Sequence, residues 1–231
     1  MTAETRQEEI ARHFDGIAGQ YDGWKRRNWY YYANLKQLIR DNIPPGKSVL
    51  EVGCGTGDIL AAANPRRGIG IDVSGNMIRI AREKYRLSAN LEFLHAGPGG
   101  LPADTSFDYI LMVDVVEHIT DLEKLFSQLR SAAGSETKLF ISMANPCWEP
   151  LLLILEKMKM KMAEGAHSRI SSGQLARIAR SRGFSLEKHA FALLVPAAVP
   201  FLSGFINKRF SSIPVVRRLG MIEYMVFGTG K

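Results

Sequence analysis

Between residues 48 and 142, short β-branched runs alternate with stretches whose apolar residues recur at helical spacing. Ser48-Val49-Leu50-Glu51-Val52-Gly53 enters a glycine cluster, and an apolar stretch from Ile59 follows at helical period, which predicts strand, loop and helix. Gly68 to Asp72 predicts a second strand, after which Ser74 can cap a helix bearing Met77, Ile78, Ile80 and Ala81. A third strand is expected over Leu91 to Leu94, a fourth over Tyr109 to Val113 and a fifth over Lys138 to Ser142, with a helix from about Leu122 to Ala133 between the last two. Helical signals return at Ser172 to Ser181 and strand signals at Phe184 to Leu194 and Met221 to Phe227, leaving residues 195–219 as an insertion. This order predicts an α/β fold with a doubly wound, mostly parallel sheet and a closing hairpin, its ligand lying beyond the carboxyl ends of strands one, two and four.

Composition adds one folded unit and few partners. With 231 residues, 46% hydrophobic and 23% charged, and no repeat or low-complexity tract, the chain reads as one domain, 1–231. Met1-Thr2-Ala3-Glu4-Thr5-Arg6 lacks an apolar core, so a cytoplasmic location is expected. Cys54 and Cys147 are far apart without zinc spacing and read as small hydrophobes. The apolar run Phe191 to Ile206 is short for a spanning helix and broken by Pro196, Pro200 and Gly204. Residues 1–144 hold 17 Lys and Arg against 18 Asp and Glu, whereas residues 145–231 hold 13 against 5, so the net charge of +7 resides in the C-terminal part. Such a bias suits anionic partners or simply a solvated face.

Glu51-Val52-Gly53-Cys54-Gly55-Thr56-Gly57 places three glycines at alternate positions after a strand, where missing side chains let backbone approach a ligand. A nicotinamide-binding loop would need a third glycine where Asp58 stands. Asp72 ends the second strand 19 residues after Gly53, a place from which a carboxylate can accept both ribose hydroxyls of a nucleoside cofactor. Alone, an Asp there is a turn residue; beside this loop it is a cofactor ligand.

These residues, with Asp72-Val73-Ser74-Gly75-Asn76-Met77 and Phe107-Asp108-Tyr109-Ile110, resemble the first, second and fourth motifs of class I S-adenosylmethionine-dependent methyltransferases, in order and spacing over about residues 13–145. The resemblance implies a Rossmann-like seven-stranded sheet with an antiparallel last strand and helical cap insertions. It also implies S-adenosylmethionine as cofactor, with Gly53, Gly55 and Gly57 facing its methionine part, Asp72 holding the ribose, Met77 either packing the adenine or in the core, and Glu51, Cys54 and Val73 also among the cofactor-binding residues. Residues 1–45 become lid helices, 46–145 the cofactor-binding core, and 146–231 the acceptor-binding part with cap segments 148–165 and 195–219. After the third strand such enzymes place an acid against the adenine amine; here Gly97 stands there.

Methyl transfer is an in-line displacement, so the enzyme mainly excludes water and aligns the nucleophile; a hydroxyl acceptor also gains from a general base. Asp114-Val115-Val116-Glu117-His118 resembles the Glu-x-x-Glu-His pattern of ubiquinone-pathway O-methyltransferases and small-RNA 2′-O-methyltransferases, with Asp114 in place of the first Glu. No metal is expected, Asp114 is expected at the cofactor, and His118 is a candidate base or a pocket-lining residue. His167 in Glu164-Gly165-Ala166-His167 resembles the Gly-Thr-His element of the quinone-pathway enzymes and is the second candidate base. Phe14-Asp15-x-x-Ala18-x-x-Tyr21-Asp22 looks like the segment covering the cofactor in small-molecule methyltransferases, with Tyr21 as lid. The nearby Trp24, Trp29, Tyr30, Tyr31 and Tyr32 read as packing before substrate cage. Asn145-Pro146-Cys147-Trp148 follows the fifth strand, not the fourth, and so differs from the amine-methylating Asn-Pro-Pro-Tyr element.

The expectation is methyl transfer to a small or lipid-linked acceptor, foremost a hydroxyl oxygen, with RNA methylation or a non-catalytic cofactor-binding partner as alternatives. No DNA partner is expected, and RNA is disfavoured because no RNA-binding module is added. Leu151 to Leu155 precede Lys157, Lys159 and Lys161, and the stretch from Phe191 precedes Lys208, Arg209, Arg217 and Arg218. These stretches are either a cap whose cations face water or a contact with an anionic membrane.

Overall fold

The computed structural model describes residues 3–97, 100, 101, 106–157, 170–197, 203, 205, 207, 209 and 213–229. Two helices come first, α1 (Ala3–Arg27) and α2 (Trp29–Asn42). Strands β1 (Ser48–Val52), β2 (Arg67–Asp72), β3 (Leu91–His95), β4 (Phe107–Val113) and β5 (Ala133–Ala144) follow, with α3 (Asp58–Ala62), α4 (Gly75–Lys84) and α5 (Leu122–Ser131) among them. After β5 come α6 (Glu149–Lys157), α7 (Ser172–Ser181), β6 (Phe184–Ala192), a short turn of helix at Pro214–Arg217 and β7 (Ile222–Thr229). The strand order is β3-β2-β1-β4-β5-β7-β6, parallel throughout except that β7 runs antiparallel to β5 and β6. The expected doubly wound, seven-stranded sheet with an antiparallel last strand is the observed one, and its order reverses beside β1, which puts a crevice at the carboxyl ends of β1 and β4.

Period-two alternation divides the core between the two faces. Ile110 and Met112 of β4 join Leu125, Phe126 and Leu129 of α5 and Leu175 and Ala179 of α7. Leu111 and Val113 turn to the other face, onto Leu35 and Ile39 of α2, Leu60 of α3 and Ile78 and Ala81 of α4. Full burial of side chains such as Phe126 stabilises the fold by about 1.5–3 kcal/mol each. Caps fix the helix starts: Ser74 accepts from the Met77 N–H, Asp121 from the Lys124 N–H, and Ser171 and Gln174 form a reciprocal capping box.

The fifth strand begins earlier than its apolar pattern predicts. Its exposed start carries no apolar signal; there the Thr137 hydroxyl accepts from the Gly134 N–H at 2.8 Å and donates to the Phe107 carbonyl at 2.5 Å, where the β4–β5 register shifts. The edge strand β6 exposes Glu187 and Lys188, charges that discourage pairing with another sheet.

Candidate active site

The loop after β1 is built around Asp72. The Gly53 and Cys54 N–H groups donate to the Ile71 carbonyl at 2.8 and 3.0 Å, tying the loop to the end of β2. One Asp72 oxygen accepts from the Gly55 N–H at 2.8 Å and the other from the Ser74 N–H at 2.9 Å. Each carboxylate oxygen keeps lone-pair capacity beyond its one backbone bond. Burial raises the Asp72 pKa above the usual carboxylate range, partly opposed by those bonds. Glu51 is 2% exposed, accepts from the Leu60 N–H at 2.9 Å and is pushed well up by burial. Burial likewise raises the Cys54 thiol.

Gly53 has φ +75°, and a Cβ there would overlap the Val115 side chain. A Cβ on Gly55 would reach to 3.5 Å from the Tyr21 ring and fill the space between loop and lid. Gly57 behaves differently: it has φ +83°, starts α3, and a Cβ there would lie 2.7 Å from the Phe93 ring. A Cβ on Gly57 would thus point toward Phe93, whereas Gly53, Cys54 and Gly55 line the cavity.

Helix α1 is latched across this crevice at two points. Asp15 accepts from the Ser74 hydroxyl at 2.6 Å and from the Asn76 N–H at 2.9 Å, docking α1 on the N-terminus of α4. Further along, Lys25 donates to Thr56 and Asp58, both at 2.7 Å, and Lys84 donates to Asp22 at 2.8 Å and pairs with Asp58 at 2.9 Å. Burial alone would raise the Asp58 pKa, but Lys25 and Lys84 outweigh it and hold the carboxylate far below its ordinary value. At the other end of α1, the Gln7 amide comes within 2.6 Å of where a Cβ of Gly97 would stand. A side chain from α1 therefore occupies the place where an acid after β3 was expected and absent; sequence reading missed Gln7 because no local pattern links it to residue 97.

Beyond the end of β4, Asp114 adopts φ +51°, an uncommon conformation for a residue with a side chain. Its carboxylate accepts from the Tyr31 phenol at 2.7 Å and from the Ser142 hydroxyl at 2.9 Å. Burial, then the neighbouring Asp114, pushes the Tyr31 phenol well above its ordinary pKa, and burial, Tyr32 and the carboxylates of Asp72, Asp114 and Glu51 do the same to Tyr21. Both phenols stay protonated donors at neutral pH. His118 closes a 3-10 turn, Val116–His118, with its ring edge-on to Phe14 at 5.2 Å. Tyr31, read from the sequence as packing, is thus part of the site; its signal was a run of four aromatics on one helix, more than one buried face can take.

Tyr21, Glu51, Asp72, Val73, Met77, Asp114 and His118 line one cavity of about 530 Å³, within the range of small-molecule sites. Trp29, Leu152, Pro196 and Met221 also line it. His167 lies outside the described residues, as do 158–165 of the first cap segment and parts of the second. Among the described residues, no three His, Cys, Asp or Glu side chains are grouped to hold a metal ion.

The family described as a methyltransferase domain matches residues 24–189, and the chain belongs to it. Among curated relatives, a phosphoethanolamine N-methyltransferase of Caenorhabditis elegans is 30% identical over 67% of this chain and 36% of its own length. A ubiquinone/menaquinone biosynthesis C-methyltransferase of Klebsiella pneumoniae is 29% identical over 65% of each chain. The matched part therefore spans less than two thirds of either relative. In fold, the chain is similar to a possible histamine N-methyltransferase of Thermotoga maritima, with TM-score 0.69, 21% identity and coverage of 96% and 100% of the two chains. It is also similar to the magnesium protoporphyrin IX methyltransferase of Synechocystis bound to S-adenosylhomocysteine, with TM-score 0.64, 17% identity and coverage of 97% and 100%. Family and fold define a class I S-adenosylmethionine-dependent methyltransferase domain, with S-adenosylmethionine as its cofactor. The buried Asp72 at the end of β2 and the side-chain-free gap at Gly55 fit that group.

Proposed function

We propose that the chain methylates a hydroxyl oxygen of a small or lipid-linked acceptor. The observation that carries this reading is the largely apolar cavity lined both by His118 and the Tyr31–Asp114 pair and by the glycine loop and Asp72. The cofactor supplies an electrophilic methyl group on a sulfonium. Gly53, Cys54 and Gly55 present backbone to its methionine part, Asp72 accepts from the ribose hydroxyls, and Gln7 faces the adenine edge with Val73 and Met77 packing beside it. Tyr21 closes over the loop and excludes water, which strengthens polar interactions within the site.

An attacking hydroxyl must lose its proton, and a positioned base contributes about 10²–10⁴-fold. His118 takes this role, with His167 as the second candidate base. Asp114, fixed by Tyr31 and Ser142, orients the acceptor by accepting a hydrogen bond. The relatives named as C- and N-methyltransferases use other nucleophiles, and a neutral nitrogen would need no base. The deciding experiment incubates purified protein with methyl-labelled S-adenosylmethionine and with aqueous and lipid extract fractions, then identifies the labelled product by mass spectrometry. An O-methylated product whose formation falls at least a hundredfold in His118→Ala supports the reading; a C- or N-methylated product overturns it.

A further inference from the structure

We infer that the rim of the cavity mouth docks the chain on an anionic bilayer. Among the described residues, every exposed large apolar side chain except Leu87 and Leu186 is Trp29 or falls within residues 151–154 and 205–219. These segments are neighbours. The Trp148 indole donates to the Leu219 carbonyl at 2.7 Å, and the Asn145 amide donates to the Arg218 and Gly220 carbonyls at 2.8 Å each, so residues 218–220 are tied to the start of α6. Asn207 donates to the Tyr30 phenol at 3.1 Å, placing that residue against α2 beside Trp29.

Helix α6 shows why the rim faces outward. Leu152 is 9% exposed and lines the cavity, whereas Leu151 and Ile154 on its outer face are 44% and 53% exposed. Val215, 78% exposed, continues the apolar surface. An apolar patch of this kind marks an interaction surface. Its occupant is indicated by charge: Lys157, Arg217 and Arg218 are exposed at its edges, in the part of the chain where Lys and Arg outnumber Asp and Glu by 13 to 5. Aliphatic and Trp side chains ringed by cations with apolar stems match the boundary between acyl chains and anionic headgroups. No helix among the described residues is long and apolar enough to cross a membrane. The inference deepens the acceptor reading, since an amphiphile could pass from the bilayer into the mouth. It rests on that reading only for the purpose of the contact.

The test is flotation of the full chain with vesicles of phosphatidylcholine alone and of phosphatidylcholine mixed equally with phosphatidylglycerol, which reads the surface without turnover. The chain should float with the mixed vesicles, float poorly with phosphatidylcholine and release as salt shortens the reach of charge. Each cation adds roughly fivefold to partitioning, so Arg217→Glu/Arg218→Glu should lower it by roughly 25-fold or more, and Leu151→Ser/Ile154→Ser should lower it independently. All these side chains are exposed, and unchanged circular dichroism with retained S-adenosylmethionine binding would show folded variants. No flotation at low salt, flotation of both variants equal to that of the parent, or a self-association that the variants abolish without any vesicle binding would overturn the inference. A chain that floats but transfers no methyl group would contradict the acceptor reading alone.

Discussion

The phenol of Tyr31, on the second helix, donates to the carboxylate of Asp114 across 2.7 Å and so joins the N-terminal lid to the end of the central strand β4. Asp114 itself sits at φ +51°, and a side-chain-bearing residue held in such a region costs about 1–3 kcal/mol. Under the proposed reading this acid, positioned by the Tyr31 and Ser142 hydroxyls, contacts the acceptor. Tyr31→Phe should weaken folding by about 1–2 kcal/mol, because a half-buried carboxylate loses a charge-assisted donor, and should slow turnover. Asp114→Asn tolerates the same backbone conformation, so it should remain within about 1 kcal/mol of the parent in denaturant unfolding while turnover falls tenfold or more. Full activity in Asp114→Asn would remove this residue from the chemistry.

Gln7 supplies a prediction of recognition. If its amide faces the adenine edge, Gln7→Ala should weaken S-adenosylmethionine by about 1 kcal/mol, or roughly fivefold. The discriminating measurement is binding of the analogue whose adenine amine is replaced by hydrogen, which leaves the Gln7 amide oxygen without a donor. The parent should prefer the amine, and the variant should bind both alike; a preference that survives in Gln7→Ala would mean that another group reads the base.

The contrast between Asp72 and Gln7 shows what a sequence makes legible. Asp72 and the glycine loop are near in sequence and carried by elements of unmistakable period, so the mostly parallel sheet and the crevice beside Asp72 followed from spacing. Gln7 and Tyr31 act through packing of α1 and α2 on distant strands, and residues 7 and 97 or 31 and 114 share no local pattern. The three glycines show the same limit: alternate glycines look equivalent in sequence, but only the fold reveals that Phe93 lies behind Gly57. The start of β5 was missed because Ser135 and Glu136 face water and break the apolar run.

Asp15 predicts the behaviour of the lid. Asp15→Ala removes the acceptor for both the Ser74 hydroxyl and the Asn76 N–H, leaving the Asn76 amide on the Asp15 backbone carbonyl and the Lys25–Asp58–Lys84 cluster to hold the helix. Helix α1 should then open more often and be cleaved faster by trypsin, and the cofactor should dissociate several-fold faster in stopped-flow measurements. Bound cofactor should restore protection, since it binds the closed form. Unchanged proteolysis would show that Asp15 does not hold the lid.

Glu51 gives a pH dependence of defined sign. Burial raises its pKa in the folded protein well above the ordinary value, with the Leu60 N–H and Lys25 partly opposing. The folded chain therefore keeps this proton over a range where the unfolded chain has released it, so the contribution to stability is lost as pH rises through the folded value. Glu51→Gln is neutral throughout and should gain in thermal midpoint over the parent by more at pH 8 than at pH 5. A difference that is flat or shrinks with rising pH would contradict a raised pKa.

The central claim, that this crevice holds S-adenosylmethionine by its ribose, is tested most directly by calorimetric titration of the cofactor into the parent and Asp72→Ala. Two charge-assisted hydrogen bonds lost from a buried carboxylate predict weakening by about 2–4 kcal/mol, roughly 30- to 700-fold. The variant also frees the Gly55 and Ser74 N–H groups, so circular dichroism and thermal melting should accompany the titration to show that the fold is retained. Tight binding by the parent and that loss in a folded variant is the predicted result; no heat of binding in the parent, or equal affinity in folded Asp72→Ala, would contradict it.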